Sequence, residues 1–254
     1  MTLHYQLLVP RKIIQRILLS FTCAFFSPSL FAEGQLVIAV GLAKPPYVIQ
    51  ENDSGFELEL VRNLFDKMEK TTQFVYTQFG HSVKMLAVNE VDAVMTTNSR
   101  VFHDTSLLSD VYITYQNVAI SLKKNNLTIE KIADLSRYTI ASFQKADKVL
   151  GEAFSDAVNQ SPLFMKVAEQ SRQPSLLLKE RIEVLIMDIN IFKHFAKELG
   201  IKDINERFSF HEVFPESHYR IAFKDKKNVA LFNQVLAEFK QSNDYTLLKQ
   251  RYSL

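Results

Sequence analysis

Four polar residues stand directly after apolar, strand-like runs, the positions where ligands collect in open α/β sheets. Tyr47 follows Pro45-Pro46 beyond the run Leu36 to Gly41, Thr97 and Arg100 follow Val91 to Met95, and Asp188 follows Val184 to Met187. Their chemistry is complementary. An arginine fork matches a carboxylate in bidentate fashion, a carboxylate takes an ammonium, and an aromatic ring covers an apolar group. Together they would recognise a zwitterion, such as the head group of an amino acid. Each charged contact would contribute roughly 1.5–3 kcal/mol, so a few of them plus buried apolar area reach micromolar binding. Ordinary structural roles are open to the same residues: a surface ion pair for Arg100, the N-cap of the next helix for Asp188, plain packing for Tyr47.

Other chemistries are excluded by spacing. The six glycines are never closer than seven residues, which leaves no room for GxGxxG, a P-loop or a GxSxG elbow. The six histidines show no paired-ligand spacing, so neither a metal nor a cofactor is expected. Glu57 and Glu59 are successive residues of one face pattern that do not face each other on a helix, and are read as a solvated face rather than an acid/base pair. The 20 Phe and 9 Tyr fall mostly at helical or strand intervals and are read as core.

The elements that must position the four residues alternate in type. The short β-branched run Leu36 to Gly41 reads as a strand ended by Pro45-Pro46, since neither proline can donate to a ladder. Ser54 and Glu57 have capping-box spacing, and Leu58, Val61, Leu64, Phe65 and Met68 follow at helical intervals. Further strands are expected at 73–77, 91–95, 117–122, 138–142, 184–187 and 219–223. Helices are expected at 82–88, near Thr128, around 149–157, at 174–179, from a cap at Asn190 to Gly200, through Val229 to Phe239, and at 245–252. Strands alternating with helices of this length imply βαβ units and mainly parallel sheets covered on both faces. No Pro- or Gly-rich linker separates two independent halves.

The length of 254 residues allows one large domain or two small lobes with a sizeable core. Arg11, Lys12 and Arg16 precede a short apolar stretch, Ile17 to Phe26, that leads to Ser29-Leu30-Phe31-Ala32. This has the form of a secretory signal peptide (1–32) cut after Ala32, and its apolar run is short of the roughly 20 residues a spanning helix needs. Those three basic residues, taken from 30 against 28 acidic ones, leave a net charge of −1, which argues against a nucleic-acid surface. The one cysteine, Cys23, lies inside the leader. The mature chain thus needs no disulfide and exposes no thiol, which suits the bacterial periplasm.

The order of features resembles the periplasmic solute-binding proteins of the amino-acid type, family 3, over nearly the whole mature chain. The resemblance rests on the Leu36 strand with Pro45-Pro46-Tyr47, on Gly55-Phe-Glu-Leu-Glu-Leu60 and on Asn89-Glu-Val-Asp-Ala-Val94. It continues through Thr97-Asn-Ser-Arg100, where the family has T-P-E-R, and Leu108-Ser-Asp-Val-Tyr112, where it has F-S-D-P-Y. Val184 to Asp188 and the returning strand Tyr219 to Lys224 complete it. It implies two α/β lobes joined by two crossing strands: 33–117 with 218–254, and 118–217, around a cleft that closes on a small-molecule ligand. It also implies that Arg100 clamps the ligand carboxylate, with Thr97 as hydroxyl donor, that Tyr47 covers its side chain, and that Asp188 takes its amino group. Two departures stand out. The segment between Asp92 and Thr97 is about four residues short, and the family's Q-x-G-[ST] loop reads Phe143-Gln144-Lys145-Ala146-Asp147, where Gln144, Lys145 and the helix start would have to serve an anion without the glycine. The implied function is capture of a small polar metabolite by a periplasmic monomer and its presentation to an ABC-type permease. Alternatives are a sensory module signalling to a membrane partner, and a dehydratase-like enzyme for which Glu90, Asp92 and His103 are the candidate acid/base groups.

Overall fold

The computed structural model describes residues 35–254. The leader, its cleavage point after Ala32 and Cys23 lie outside the described residues. Ten strands form two five-stranded sheets. The first contains β1 (Gln35–Val40), β2 (Thr71–Tyr76), β3 (Ala93–Thr97), β4 (Ile113–Tyr115) and β10 (Ser217–Phe223), in the order β2-β1-β3-β10-β4. The second contains β5 (Asn117–Leu122), β6 (Ile140–Phe143), β7 (Phe164–Val167), β8 (Val184–Asp188) and β9 (Phe208–His211), in the order β7-β6-β8-β5-β9. In each sheet a parallel set (β2-β1-β3, β7-β6-β8) is extended by antiparallel strands that carry the chain across (β10 and β4, β5 and β9). This is a two-lobed α/β architecture of mixed sheets. The chain passes between lobes at Gln116, between β4 and β5, and again at 212–216, between β9 and β10.

Amphipathic helices cover the sheets for the reason their spacing suggests. Helix α1 (Phe56–Lys67) buries Phe56, Leu58, Leu60, Val61, Leu64 and Phe65. The C-terminal helices α8 (Lys226–Lys240) and α9 (Asn243–Tyr252) join it on the first sheet, where Phe65, Phe223 and Phe232 pack ring on ring at 5.3–6.1 Å. In the second lobe, α6 (Ile189–Glu198) turns Ile191, Phe192 and Phe195 inward, and Phe192 meets Phe208 edge-on at 4.8 Å. Among the described residues no helix is long and apolar enough to cross a membrane.

Several local expectations change. Strands β4, β7 and β9 carry no alternation that periodicity could find, because each has only three or four residues and lies at a sheet edge. The expected helix at 149–157 is two helices, α3 (Ala146–Val149) and α4 (Glu152–Asn159), interrupted at Gly151, whose φ of 95° no helix accommodates. The helix expected near Thr128 is a 3₁₀ turn at Ile132–Arg137. Strand β3 runs on through Thr97, so Thr97 lies within the strand rather than after it. The remaining helices, α2 (Phe79–Ala87), α5 (Gln173–Leu178) and α7 (Ile204–Arg207), are short.

Ser54 does not cap α1. The N-cap is Gly55, and the first helical amides are taken by main-chain carbonyls of the preceding loop: Phe56 N–H donates to Pro46 O and Glu57 N–H to Tyr47 O, both at 2.9 Å. That close approach demands glycine. A Cβ at position 55 would lie 2.4 Å from Tyr47 O, and its φ of 114° is barred to other residues. With the amides satisfied by backbone, the Glu57 side chain has no capping role and is free to turn into the lobe.

Candidate functional site

A cavity of about 80 Å³ lies between the two sheets. It is several times the roughly 10–15 Å³ that one water requires, which makes it room for a small solute. The first lobe contributes Gly41, Leu42, Lys44, Thr96 and Tyr115 to its wall, and the crossing strands contribute Asn117 and Tyr219. The second lobe contributes Phe143, Gln144, Val149, Ala168, Gln170, Asp188 and Ile191.

Behind the first-lobe wall is a buried polar cluster built on Glu57. Its side chain is fully buried, contrary to the solvated face its sequence position suggested. Oε2 lies 3.0 Å from Lys44 Nζ and accepts the Tyr115 hydroxyl at 2.6 Å; Oε1 accepts Thr96 Oγ1 at 2.5 Å and the Tyr112 hydroxyl. Lys44 also donates to Thr96 Oγ1 at 2.6 Å, and its ammonium lies 5.4 Å from the centre of the Tyr115 ring. Burial works against the Glu57 carboxylate, but Lys44 and the three hydroxyls outweigh it and hold the group below the usual carboxylate range. Burial pushes the Lys44 ammonium down, and Glu57 offsets part of that. Burial likewise pushes the Tyr112 and Tyr115 phenols up, so both remain donors. Only Glu59 of the expected exposed pair is outside the core, where it accepts from Tyr252 at 2.5 Å and from Arg251 at 2.6 Å.

Asp188 closes the second-lobe wall and is 1% exposed. It is the last residue of β8 and the N-cap of α6, the structural role the sequence left open for it, and it takes the cap otherwise expected at Asn190. Oδ1 accepts Asn190 N–H at 2.9 Å and Ile191 N–H at 3.0 Å, while Oδ2 accepts the amide of Gln116 at 2.9 Å. The carboxylate therefore fixes both the helix start and one interlobe crossing, and still borders the cavity. Burial raises its pKa to about 6, against the opposing pull of those three amides and of the Tyr47 hydroxyl.

The remaining expected residues are placed differently. Gln144 borders the cavity, and its Nε2 reaches Gln78 Oε1 of the other lobe at 3.3 Å. Lys145 lies against Gly80 rather than in the cavity. Tyr47 is buried one layer back: its ring stacks on Tyr115 at 4.1 Å, and its hydroxyl accepts Asn190 Nδ2 at 3.1 Å across the lobes. The ring that stands on the cavity wall in its place is Tyr115, beside Phe143 and Tyr219. Thr97 is fully buried, away from the cavity, with its hydroxyl unpaired; the hydroxyl on the wall belongs to Thr96. Thr96 has a φ of 54°, and β10 shifts register opposite it between Arg220 and Ala222. That bulge breaks strand alternation and re-aims the side chain. Lys44 and Thr96 went unread in the sequence as site residues and Glu57 was read as solvated; a lysine before two prolines and a glutamate two residues into a helix offer no local signal of convergence.

Arg100 does not border the cavity. Its guanidinium donates to Val149 O of the second lobe at 2.8 Å and lies where a Cβ on Gly151 would come within 3.4 Å of its Cζ. It bridges protein to protein. Arg100→Ala is therefore expected to weaken every ligand alike, by roughly 3–10-fold for one lost interlobe bond, as read by isothermal calorimetry. Loss confined to carboxylate-bearing ligands would instead make it a ligand clamp. The acid/base candidates Glu90, Asp92 and His103 also lie off the cavity wall, with Asp92 accepting Val37 N–H at 2.9 Å. Among the described residues no three His, Cys, Asp or Glu side chains are grouped to hold a metal ion.

The family model for bacterial extracellular solute-binding proteins, family 3, matches residues 36–254. No curated protein matches the sequence. Among solved structures, a mutant of ArgBP from T. maritima superposes with a TM-score of 0.71 at 18% identity, covering 88% of this chain and 96% of that one. A histidine kinase sensor domain with similarity to periplasmic binding proteins gives 0.72 at 14% identity, covering 86% and 95%. An ancestral amino-acid-binding protein, a precursor of cyclohexadienyl dehydratase, gives 0.69 at 16% identity, covering 88% and 97%. At these identities the likeness is one of fold.

Proposed function

This chain belongs to the bacterial extracellular solute-binding proteins, family 3, and from that premise we propose that it captures a small polar metabolite, an amino acid or a molecule of similar size, in the interlobe cavity. One observation carries the reading: a buried ammonium, Lys44, and a buried carboxylate, Asp188, border the same small cavity from opposite lobes. A ligand that meets both must be gripped by both lobes, and contacts made only when the lobes meet shift the population toward the closed form. Lobe 1 (33–117 with 218–254) and lobe 2 (118–217) would hinge at the two crossings. Gln144, Thr96 and the Tyr115 ring would complete the contacts, with Tyr47 supporting Tyr115 from behind.

After export through the leader, the protein would act in the periplasm and present its ligand to an ABC-type permease. A second reading, ligand sensing for a membrane partner, is favoured by the likeness to a histidine kinase sensor domain. A third, catalysis, has a precursor of a dehydratase among its structural neighbours, but the acid/base residues proposed for it are not on the cavity wall.

A thermal-shift screen against amino acids, polyamines, dipeptides and organic acids tests the proposal. A true ligand at about a hundred times its Kd should stabilise the protein by about 2.7 kcal/mol. Absence of any shift with amino acids and amines would overturn it, and turnover of a bound compound would move the assignment to an enzyme.

A further inference from the structure

The cavity's charges do not balance. In the first lobe the one charged group on the wall is Lys44, and Glu57 already neutralises it at 3.0 Å. An ammonium has three N–H groups, and two are committed, to Glu57 and Thr96, so at most one remains for a ligand. Glu57 in turn receives four partners and is fully buried, so the pair is a closed unit rather than a poised cation. Arg100, the other cation of this lobe near the cleft, is tied to Val149 O and does not reach the wall. Across the cavity stands Asp188, the one other charged side chain on the wall among the described residues. Its partners are three backbone amides and the Tyr47 hydroxyl, which satisfy lone pairs but bring no full positive charge. Lys44, Glu57 and Asp188 together therefore leave one uncompensated negative charge beside a small cavity, in surroundings where an unpaired charge costs several kcal/mol.

We propose that the ligand supplies the missing cation: the cavity selects small primary amines or comparable monocations, and a carboxylate on the ligand is optional rather than required. The inference rests on the reading of this cavity as the ligand site, and narrows it. Amino acids remain acceptable, because the last Lys44 N–H can take a carboxylate. Their decarboxylated amines bind nearly as well, and their deaminated acids do not. The groups that face Asp188 are Lys44 from the first lobe and the phenols Tyr47 and Tyr219, of which only Lys44 carries positive charge.

Calorimetry of the purified protein with matched triads separates the alternatives, each triad being an amino acid, its decarboxylated amine and its deaminated acid. The expected result is an amine within about 10-fold of its amino acid and an acid weaker by about 10–150-fold, the value of one charge-assisted contact. Amino acids that bind while every amine fails would overturn this proposal and leave the broader function standing. Failure of all three members would remove the site itself. Glu57→Gln provides an independent arm: with the Lys44 charge released, deaminated acids should gain about 10-fold relative to amines. An unchanged ratio in a folded variant would count against the neutralised pair, and the wild-type triads decide the matter should the variant not fold.

Discussion

Glu57→Ala is expected to lower the unfolding free energy by about 3–5 kcal/mol, because removing one member of a buried ion pair leaves the other charge uncompensated. Lys44 would be stranded with only Thr96 as partner, and the Tyr112 and Tyr115 hydroxyls would each lose a carboxylate acceptor in the dry interior. For a chain of this size, the corresponding fall in melting temperature is roughly 6–20 °C. Glu59→Ala, two residues along the same helix, is the control. Its ion-pair partner Arg251 is exposed and its other partner, Tyr252, is half-buried; a surface pair contributes about 0–1 kcal/mol, so the loss should stay well below that of Glu57. Equal effects of the two substitutions in chemical denaturation would mean that Glu57 is not buried among these partners. Ligand affinity should fall with Glu57 as well, since the same network orients Lys44, Thr96 and Tyr115 on the cavity wall.

Asp188→Asn is expected to separate binding from stability. An amide keeps an oxygen for the Asn190 and Ile191 amides but turns a donor toward Gln116 N–H, losing one hydrogen bond and gaining relief from a buried charge. Affinity for amines should fall by about 10–150-fold at neutral pH, while the apo protein retains its fold. The pH dependence has a definite sign. The carboxyl titrates at about 6 in the folded protein, against 3.8 ordinarily, so between these values the native state holds a proton that the unfolded chain has released. The Asp188 contribution to stability is then greatest below about pH 3.8 and is lost as pH rises to about 6, by up to about 3 kcal/mol. The difference in stability between Asp188→Asn and the wild type should grow over that window and level off above it. A cationic ligand favours the ionised form, so its affinity for the wild type should climb by up to tenfold per pH unit up to about pH 6 and then flatten. A flat profile for the wild type, or one that declines with pH, would mean that no cation sits beside Asp188.

Local spacing carried the architecture a long way. The strand before Pro45-Pro46, the helix through Leu58, Val61 and Leu64, and the run ending in Asp188 are signals within a dozen residues of themselves, set by backbone periodicity and by where proline and glycine are tolerated. From these the alternating α/β class was legible, and the order of the same features carried the family resemblance that implied two lobes around a cleft. The short edge strands β4, β7 and β9 were not, because three or four residues cannot display a period. The site's inner wall was illegible for a different reason. Glu57 finds Lys44 13 residues back, Thr96 39 ahead and Tyr115 58 ahead, and no residue-level pattern encodes which distant hydroxyls will surround a carboxylate. The exchange of Thr97 for Thr96 and of Tyr47 for Tyr115 on the wall follows from a bulge and a stacked ring, and Arg100 finds its partner only when the second lobe's Gly151 leaves room. What sequence alone determined were the elements and their order; what tertiary structure decided was which charges neutralise one another, because burial removes the water that would otherwise screen them and forces each to a partner that only the folded chain brings near.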